Sequence, residues 1–291
     1  MNSSLCNISR LSFNSADEWE IFSRDNSQML DKIWLWHETL GNSEGLIKFP
    51  GICEICNINT VFSANPIYAP RESEYFSFKY KVNWWALTQC GCKLSNLERA
   101  ALSIFKEGYE LNEDIYHVGH FSLFRNWLSD KFPNVVSSQF FLGKFPGEDV
   151  GGVRNEDVSR LSFDDASFNS LICMEILEHV PDYRVALLEM NRVLKQDGRA
   201  ILSFPWLGGN TYDNLTRAEM MEDGQTIKYL MEPEYHGDPA DAQGILSFRS
   251  FGWQILDDLR SAGFKKASAE FIFSPIHGYM TLLNPIIVGI K

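Results

Sequence analysis

The chain has 291 residues, of which 45% are hydrophobic and 13% aromatic. These fractions exclude an intrinsically disordered protein, and the length suits one large domain or one domain plus a small module. The formal net charge is −12. Because such a surface repels phosphate backbones and no cluster of Lys or Arg offsets it, we expect no nucleic acid among the partners and favour a small molecule.

The first residues, MNSSLCNISRLSF, have neither a basic start nor the apolar core of a signal peptide. No run of about 18 apolar residues occurs, so we predict no association with a membrane. We therefore expect a cytoplasmic protein. In a reducing compartment the six cysteines indicate metal binding or free thiols rather than disulfides.

The N-terminal part reads as a helix over residues 15–40, with Ser15 as N-cap and Glu18 three residues later. A glycine- and proline-containing loop follows. Next comes a segment bounded by two cysteine pairs, with a strand-like stretch at 57–89 between them. Residues 93–107, KLSNLERAALSIFKE, read as another helix, capped by Ser95 and Glu98.

The cysteine pairs are Cys53-x-x-Cys56 and Cys90-x-Cys92. A hairpin that brings two such pairs together offers zinc the tetrahedral set of sulfur ligands that it prefers. All four positions would be filled by sulfur, so the predicted Zn²⁺ is structural rather than catalytic. The alternative is a small β-element carrying four reduced thiols.

From residue 114 onward, strand and helix patterns alternate. Residues 114–141 read as strand, turn, helix and strand, the layout in which α/β proteins hold a nucleotide cofactor, although the turn has a single glycine, Gly119. Residues 158–206 contain a buried strand at 170–174, an amphipathic helix at 182–195 and a second buried strand at 199–204. The stretch 207–250 is rich in loops. A helix and two strands close the chain.

Two phrases in this region are distinctive: LSFDDASFNS before the strand at 170–174, and EHVPD at Glu178–Asp182 after it. Over residues 155–206 the chain resembles class I S-adenosylmethionine-dependent methyltransferases. The resemblance implies an α/β, Rossmann-like sheet of seven strands, only the last of them antiparallel. It also implies that S-adenosylmethionine lies across the carboxyl ends of the first strands.

Further phrases, CKLSNLERA, KFPNVVSSQF, EYHGDP and FGWQILDDLRSAGF, resemble a bacterial branch of that family with a cysteine-paired insertion before the core. This resemblance implies a division into three parts. They are an N-terminal helical segment (1–50), a zinc-ribbon-like module with a linking helix (51–107), and a methyltransferase-like domain (108–291) whose acceptor-site insertion spans 207–250.

The resemblance also implies a set of cofactor-binding residues. His117 and Gly119 belong to the first strand and its turn, and His117 stands where the family often has an acid. Gln139 stands where an acid usually binds the ribose hydroxyls. The remaining positions form the adenine loop and the end of the fourth strand: Glu156, Asp157, Val158 and Met174. The alternative is that Gly119 only makes a turn, Gln139 is a surface residue and the site is empty.

For catalysis, methyl transfer needs an aligned acceptor and, where that acceptor is protonated, a general base. Tyr235 and His236, in EPEYHGDP, follow the fifth strand, where such folds place acceptor residues. His236 is the candidate base, and a structural loop histidine is the alternative. For His179 we predict a role in packing or capping.

These patterns together favour a methyltransferase that uses S-adenosylmethionine to modify oxygen or nitrogen of a small-molecule acceptor, in sugar or secondary metabolism. The alternative is a non-methylating enzyme or a binding protein built on a degenerate methyltransferase fold.

Overall fold

The computed structural model describes residues 10–41, 47–64, 90–107, 110–237, 244–279 and 285–291. Its helices are α1 (Ala16–Asp25), α2 (Ser27–Gly41), α3 (Asn96–Lys106), α4 (Leu123–Lys131), α5 (Tyr183–Val193) and α6 (Gln254–Ser261). Its strands are β1 (Arg10–Phe13), β2 (Ile47–Cys53), β3 (Ile58–Ala64), β4 (Ile115–Val118), β5 (Val135–Gln139), β6 (Asp149–Val150), β7 (Val153–Asn155), β8 (Phe168–Met174), β9 (Leu194–Ser203), β10 (Leu215–Thr216), β11 (Ala218–Met220), β12 (Ile227–Tyr229), β13 (Tyr235–His236), β14 (Ile245–Leu246), β15 (Arg249–Ser250), β16 (Lys266–Ile272) and β17 (Ile286–Ile290).

The chain divides into two compact units. The smaller comprises Met1–Gly108, Gly208–Asn210 and Ala269–Ile286, and the larger comprises Tyr109–Leu207, Thr211–Ser268 and Ile287–Lys291. The predicted three-part division, with boundaries at residues 50 and 107, stays a prediction.

The larger unit contains seven strands of a nine-stranded, mostly parallel sheet, in the order β17-β9-β8-β4-β5-β7-β6, whereas seven strands in all are predicted. Strands β9, β8, β4, β5 and β7 run parallel to one another, and β17 runs antiparallel to β9. The predicted Rossmann-like α/β fold is confirmed. The last strand is not the only antiparallel one, because the short β6 folds back on β7 as a hairpin.

The crossover β8-α5-β9 follows from its sequence. Strand β8 is almost continuously apolar and buried, as a parallel strand covered on both faces must be. Helix α5 begins after Asp182, whose carboxylate accepts the N–H of Val185, and its buried face includes Leu187 and Met190. The first strand and most of the helix lie where they are predicted, but the helix ends at Val193 and β9 begins at Leu194, five residues before the predicted start at 199.

The register of the parallel strands places several predicted site residues at one edge of the sheet. Val118, the last residue of β4, pairs with Ser138 on one side and with Cys173 on the other. The residues that follow these three in the chain are Gly119, Gln139 and Met174. They therefore lie side by side at the carboxyl ends of the strands, where ligands of open α/β sheets bind.

Two predicted boundaries need correction. Residues 15–40 form two helices instead of one, because Asn26 leaves the helical conformation, with φ −115° and ψ 20°, and its side-chain amide donates to the carbonyl of Phe22. The stretch 207–250, expected to be rich in loops, contains three short antiparallel pairs of strands among its loops. These pairs are β10 with β15, β11 with β12, and β13 with β14.

The smaller unit contains an antiparallel hairpin of β2 and β3, helix α3, and the turn at residues 275–279. These elements surround the buried Arg99 of α3, whose guanidinium lies over the ring of Phe62 at 4.6 Å and donates to the carbonyl of His277 at 2.8 Å. The predicted capping box of α3 is confirmed, since Ser95 and Glu98 bond reciprocally to each other's backbone N–H.

Within the described ranges, no helix combines the length and apolar character needed to cross a membrane. The predicted strand-like stretch at 57–89 is described only at its start, as β3 (Ile58–Ala64), and residues 65–89 lie outside the described residues.

Candidate functional site

The turn after β4 begins at Gly119, which has a φ of +106°. An added Cβ would lie 3.8 Å from both His117 Cε1 and Ile176 Cδ1, so there is room for a side chain. Backbone conformation, rather than space, therefore requires glycine here. Ser122 then caps α4 by accepting the N–H of Arg125 at 3.0 Å. The turn thus leads directly into the amino end of a helix.

His117 is buried in β4, with its ring edge-on to Phe124 at 5.3 Å. Burial, the largest effect, lowers the pKa of His117 to about 3. The imidazole is therefore neutral at physiological pH, unlike the acid that the resemblance expects at this position. Its Nδ1 atom is buried without a hydrogen-bond partner in the described part of the chain.

Gln139 ends β5, next to the Gly119 turn. Its backbone carbonyl accepts the N–H of Glu156 at 3.2 Å. The side chain is half-buried and has no hydrogen-bond partner among the residues that the structure describes. Because a carboxamide both donates and accepts, it can pair with a ligand hydroxyl, although without the added strength of a charge.

The two acids after β7 differ in what they contact. The buried carboxylate of Glu156 accepts hydrogen bonds from Arg154 Nε at 2.6 Å and from Ser162 Oγ at 2.5 Å, so it is used inside the protein. Asp157 is less buried, and its Oδ1 accepts the N–H of Ser159 at 2.8 Å. Of this pair, Asp157 is the one with an oxygen left to meet a ligand.

Strand β8 ends at Met174, and the chain then turns through Glu175, which has a φ of +53°. This conformation costs a non-glycine residue roughly 1–2 kcal/mol. The Glu175 side chain accepts a hydrogen bond from Ser203 Oγ at 2.8 Å. Burial, together with the nearby charge of Glu178, raises the pKa of Glu175 well above its usual range. A strained backbone and a carboxyl group with a raised pKa thus occur together at the end of this strand.

The same turn carries Glu178 and His179, and both face His236 of β13. His236 Nδ1 lies 3.6 Å from Glu178 Oε1, and His179 Nε2 lies 3.7 Å from the same oxygen. The two imidazole rings are edge-to-face, with 5.0 Å between their centroids. On its other side, His236 Nε2 bonds to Glu234 Oε1 at 2.9 Å.

A network of backbone bonds fixes this cluster. Phe248 N–H donates to the Glu178 carbonyl at 2.8 Å, and His179 Nδ1 bonds to the Leu246 carbonyl at 2.8 Å. Leu246 belongs to β14, which pairs with the strand that carries His236. The turn after β8 and the β13–β14 ladder are therefore tied to each other at several points.

Charge sets the protonation of His236. Burial acts to lower its pKa, but the hydrogen bond to Glu234 and the negative charges of Glu178 and Glu234 together outweigh burial and raise the pKa to about 9. His236 is consequently protonated at neutral pH in this arrangement. A protonated imidazole cannot accept a proton, so a catalytic base at His236 would first have to lose this one.

Tyr235 and His236, predicted as a catalytic pair, are not brought together by the structure. They are successive residues of a strand, so their side chains point to opposite faces. Tyr235 is exposed, and its hydroxyl lies 3.4 Å from that of Tyr229. Val158 is buried behind the Asp157 loop.

In the smaller unit, Cys53, Cys56, Cys90 and Cys92 converge, with their sulfur atoms all within 4.8 Å of one another. These cysteines are free thiols, and the Cys53 and Cys92 sulfurs are 3.9 Å apart. A residue with positive φ, Asn57 or Lys93, follows each cysteine pair. Each pair is thus a tight turn that directs its sulfurs toward a common centre.

Residues 136–202 match the family model described as a methyltransferase domain. The family match and the fold of the larger unit support a methyltransferase domain in this part of the chain. The strand order of the larger unit agrees with this family, whose members use S-adenosylmethionine as methyl donor. No curated protein matches the chain.

Several solved structures resemble parts of the chain. The YcgJ protein of Bacillus subtilis is 23% identical, with a TM-score of 0.31, and the match covers 38% of this chain and 50% of that protein. A methyltransferase from Mesorhizobium loti is 15% identical, with a TM-score of 0.43, covering 67% and 100%. One from Methanosarcina mazei is 17% identical, with a TM-score of 0.37, covering 65% and 96%. The assignment rests on the family match and the strand order.

The sequence analysis did not predict that Glu178 and Glu234 contact His236. The signal was present in Glu175-x-x-Glu178-His179, which places two acids and an imidazole immediately after a buried strand. EHVPD was interpreted only as a turn, so these three side chains were not predicted to form a site. The pairing of Glu234 with His236 also had a local signal, because residues two positions apart in an extended segment share a face.

Arg249 offers a test of how the turn is held. It is buried, donates to the carbonyls of Val180 at 2.5 Å and Pro181 at 2.6 Å, and lies over the ring of Tyr183. We expect Arg249→Met to lower the free energy of unfolding by roughly 2–4 kcal/mol, because both carbonyls lose a charged donor. Urea unfolding followed by fluorescence measures this change.

The matched control is Arg184→Met, since Arg184 also lies over Tyr183 but is 55% exposed and makes one ion pair, with Asp258. We expect this control to cost less than about 1 kcal/mol. Equal losses in both variants would show that the two buried bonds do not hold the turn.

Proposed function

We propose that this methyltransferase transfers the methyl group of S-adenosylmethionine to oxygen or nitrogen of a small-molecule acceptor, such as a sugar or a secondary metabolite. The observation that carries the proposal is the meeting of two turns at one sheet edge. The Gly119 turn would hold the cofactor, and the turn at Glu175–His179 would face the acceptor.

The residues at the cofactor side fit S-adenosylmethionine. Gln139 has a free carboxamide for the ribose hydroxyls, and Asp157 has a carboxylate oxygen for the adenine amino group. The buried Nδ1 of His117, two residues before Gly119, has no hydrogen-bond partner among the described residues and could bond to a group of the cofactor. Met174 and Val158 are apolar groups that would flank the adenine. Because the cofactor has no phosphate, it needs fewer backbone N–H donors than a dinucleotide does.

The acceptor side is supported by charge. Glu178 and Glu234 flank His236, and the whole chain has a net charge of −12. Such a surface disfavours a phosphate-rich acceptor. We place Tyr235 and His236 on this side, with His236 beside the reacting group and Tyr235 at the exposed face of β13.

The alternative is a non-methylating enzyme or a binding protein on this fold. One observation favours it: Glu156 is already paired with Arg154 and Ser162, and no charged group stands at the ribose position. Cofactor binding therefore decides between the proposals.

Isothermal titration with S-adenosylmethionine and S-adenosylhomocysteine makes that decision. We expect both to bind with dissociation constants below the millimolar range, since the Gln139 carboxamide and His117 Nδ1 gain hydrogen-bond partners. Absence of binding at millimolar concentration would contradict methyl transfer. Binding of cofactor without methylated product from a broad panel of alcohols and amines would favour the non-methylating alternative.

The contact at Gln139 can be tested by substitution. We expect Gln139→Glu to tighten binding of S-adenosylhomocysteine by about tenfold, because a carboxylate forms stronger, charge-assisted bonds with both ribose hydroxyls. Gln225→Glu is the control, since it adds the same charge at an exposed loop position. If both variants bind with unchanged affinity, the ribose does not lie at Gln139.

We also propose that the four converging cysteines bind a structural Zn²⁺. Their sulfur donors and mutual distances fit a closed tetrahedral site with no open position. Contact with Cys92 lowers the pKa of Cys53, while the reverse contact raises that of Cys92, so the two thiols share one proton more readily than two separate thiols would. A cytoplasmic location, which stays a prediction, would keep these thiols reduced.

Elemental analysis tests the zinc proposal. We expect about one equivalent of zinc in the purified protein and the loss of most of it in Cys56→Ser, because one of the four ligands is removed. Cys173→Ser is the control, since Cys173 is buried in β8 of the larger unit and is not one of the four converging cysteines, and it should leave the zinc content unchanged. Less than about half an equivalent in the unaltered protein would count against the site.

A further inference from the structure

The side chain of Glu178 is fully buried, and neither of its carboxylate oxygens has a hydrogen-bond partner within the described residues. Buried carboxylates are normally hydrogen-bonded or paired at short range. Here the basic nitrogens stand off, at 3.6 Å for His236 Nδ1 and 3.7 Å for His179 Nε2. These distances are too long for hydrogen bonds and leave a gap between the three groups.

The hydrogen bonds on the far side of each ring determine which nitrogen faces the gap. A carbonyl oxygen can only accept, so the bond from His179 Nδ1 to Leu246 requires the proton on Nδ1. In the neutral ring the lone pair is then on Nε2, which faces Glu178. Likewise, Glu234 accepts from His236 Nε2 and directs Nδ1 toward the gap. Carbonyl and carboxylate partners of this kind orient histidines that bind metals.

Glu234 is itself fixed, because Arg217 Nη2 contacts its second oxygen at 2.8 Å. The chain Arg217–Glu234–His236 therefore holds one ring, while the β14 carbonyl holds the other. His236 and Leu246 belong to the paired strands β13 and β14, and Arg217 and Glu234 are each next to a strand in the chain, so the three inward-facing atoms are positioned before any ligand arrives.

We propose that Glu178, His179 and His236 bind a divalent transition-metal ion through a carboxylate oxygen, Nε2 and Nδ1, respectively. These ligand atoms lie within 4.8 Å of one another. With metal–ligand bonds of about 2.1 Å, tetrahedral ligands are about 3.4 Å apart, close to the distances found here. Two imidazoles and one carboxylate favour Mn²⁺, Fe²⁺, Co²⁺ or Zn²⁺ over Ca²⁺ and Mg²⁺.

A metal held by three protein atoms keeps positions open for an exogenous ligand. In the methyltransferase proposed above, that ligand is the oxygen of the acceptor, and this role rests on the proposed function. The coordinated hydroxyl loses its proton to solvent, and its oxygen forms the new bond to the methyl carbon. The bond from that carbon to sulfur breaks, and its electron pair stays on sulfur. The site thereby favours oxygen over nitrogen as the methylated atom.

The experiment uses Mn²⁺ alone, titrated into the full-length protein after the cysteine cluster has been loaded with zinc. Electron paramagnetic resonance measures the free Mn²⁺. We expect saturable binding of about one ion, weakened at least tenfold in both Glu178→Gln and His236→Asn, because each variant removes a ligand. Glu219→Gln, an exposed change in the same unit, should bind as the unaltered chain does.

Circular dichroism establishes that the variants are folded, and the partly exposed His236 provides a second test should the buried Glu178→Gln fail to fold. Unchanged Mn²⁺ affinity in a folded Glu178→Gln or His236→Asn protein overturns the site, as does absence of binding to the unaltered chain at millimolar Mn²⁺. Titration with S-adenosylhomocysteine in metal-free buffer is scored separately. Cofactor binding without Mn²⁺ binding therefore removes the metal and leaves the proposed function standing.

Water-proton relaxation of the bound Mn²⁺ tests the open positions. We expect enhanced relaxation from at least one exchanging water molecule on the ion. Relaxation without such a contribution would show a closed site and overturn the role in binding an acceptor.

Discussion

The carboxylate of Glu178 is the group on which the arrangement of this site depends. Removing a charge from water costs several kcal/mol unless partners compensate for it. The nearest described basic groups are imidazoles that stop short of hydrogen-bonding distance. The protein therefore holds a buried carboxyl group without a hydrogen bond, two oriented rings and a supporting acid at the edge of its sheet. The fold around them is built to hold these groups in place.

That support starts from strand register. Because β4 pairs in parallel with both β5 and β8, the residues after them come together at the carboxyl edge. The strained Glu175 turns the chain at the end of β8 so that Glu178 and His179 face the β13–β14 ladder. Arg249 then ties the end of this turn to the segment after β14. The Gly119 turn and the turn at Glu175–His179 therefore follow neighbouring strands of the same sheet.

Sequence patterns predicted the elements that depend on local chemistry. The buried strand β8, the Asp182-capped helix α5, the Ser95–Glu98 capping box and the convergence of the cysteine pairs all follow from short-range signals. The break at Asn26 was missed because one side chain competed with the helix for the Phe22 carbonyl. The ladders between residues 215 and 250 were missed because strands of two or three residues show no periodicity. The Glu178–His236 contact joins residues 58 positions apart, which no local pattern contains.

The role of His236 changes most between sequence and structure. Its sequence position predicts a general base, whereas its contacts with two carboxylates keep it protonated in the absence of a metal. As a ligand it would carry no proton on Nδ1 and would act on the acceptor through the bound ion. The zinc proposed at the cysteines is different in kind, because a complete sulfur shell leaves no position for a substrate.

Anomalous diffraction from crystals grown with S-adenosylhomocysteine and Mn²⁺ tests the central claim most directly. The account predicts the adenosyl group along Gly119 and Gln139, with a manganese peak within bonding distance of Glu178, His179 and His236. An adenosyl group at that edge with no manganese peak among these three side chains would contradict the metal site. An adenosyl group bound elsewhere would contradict the account as a whole.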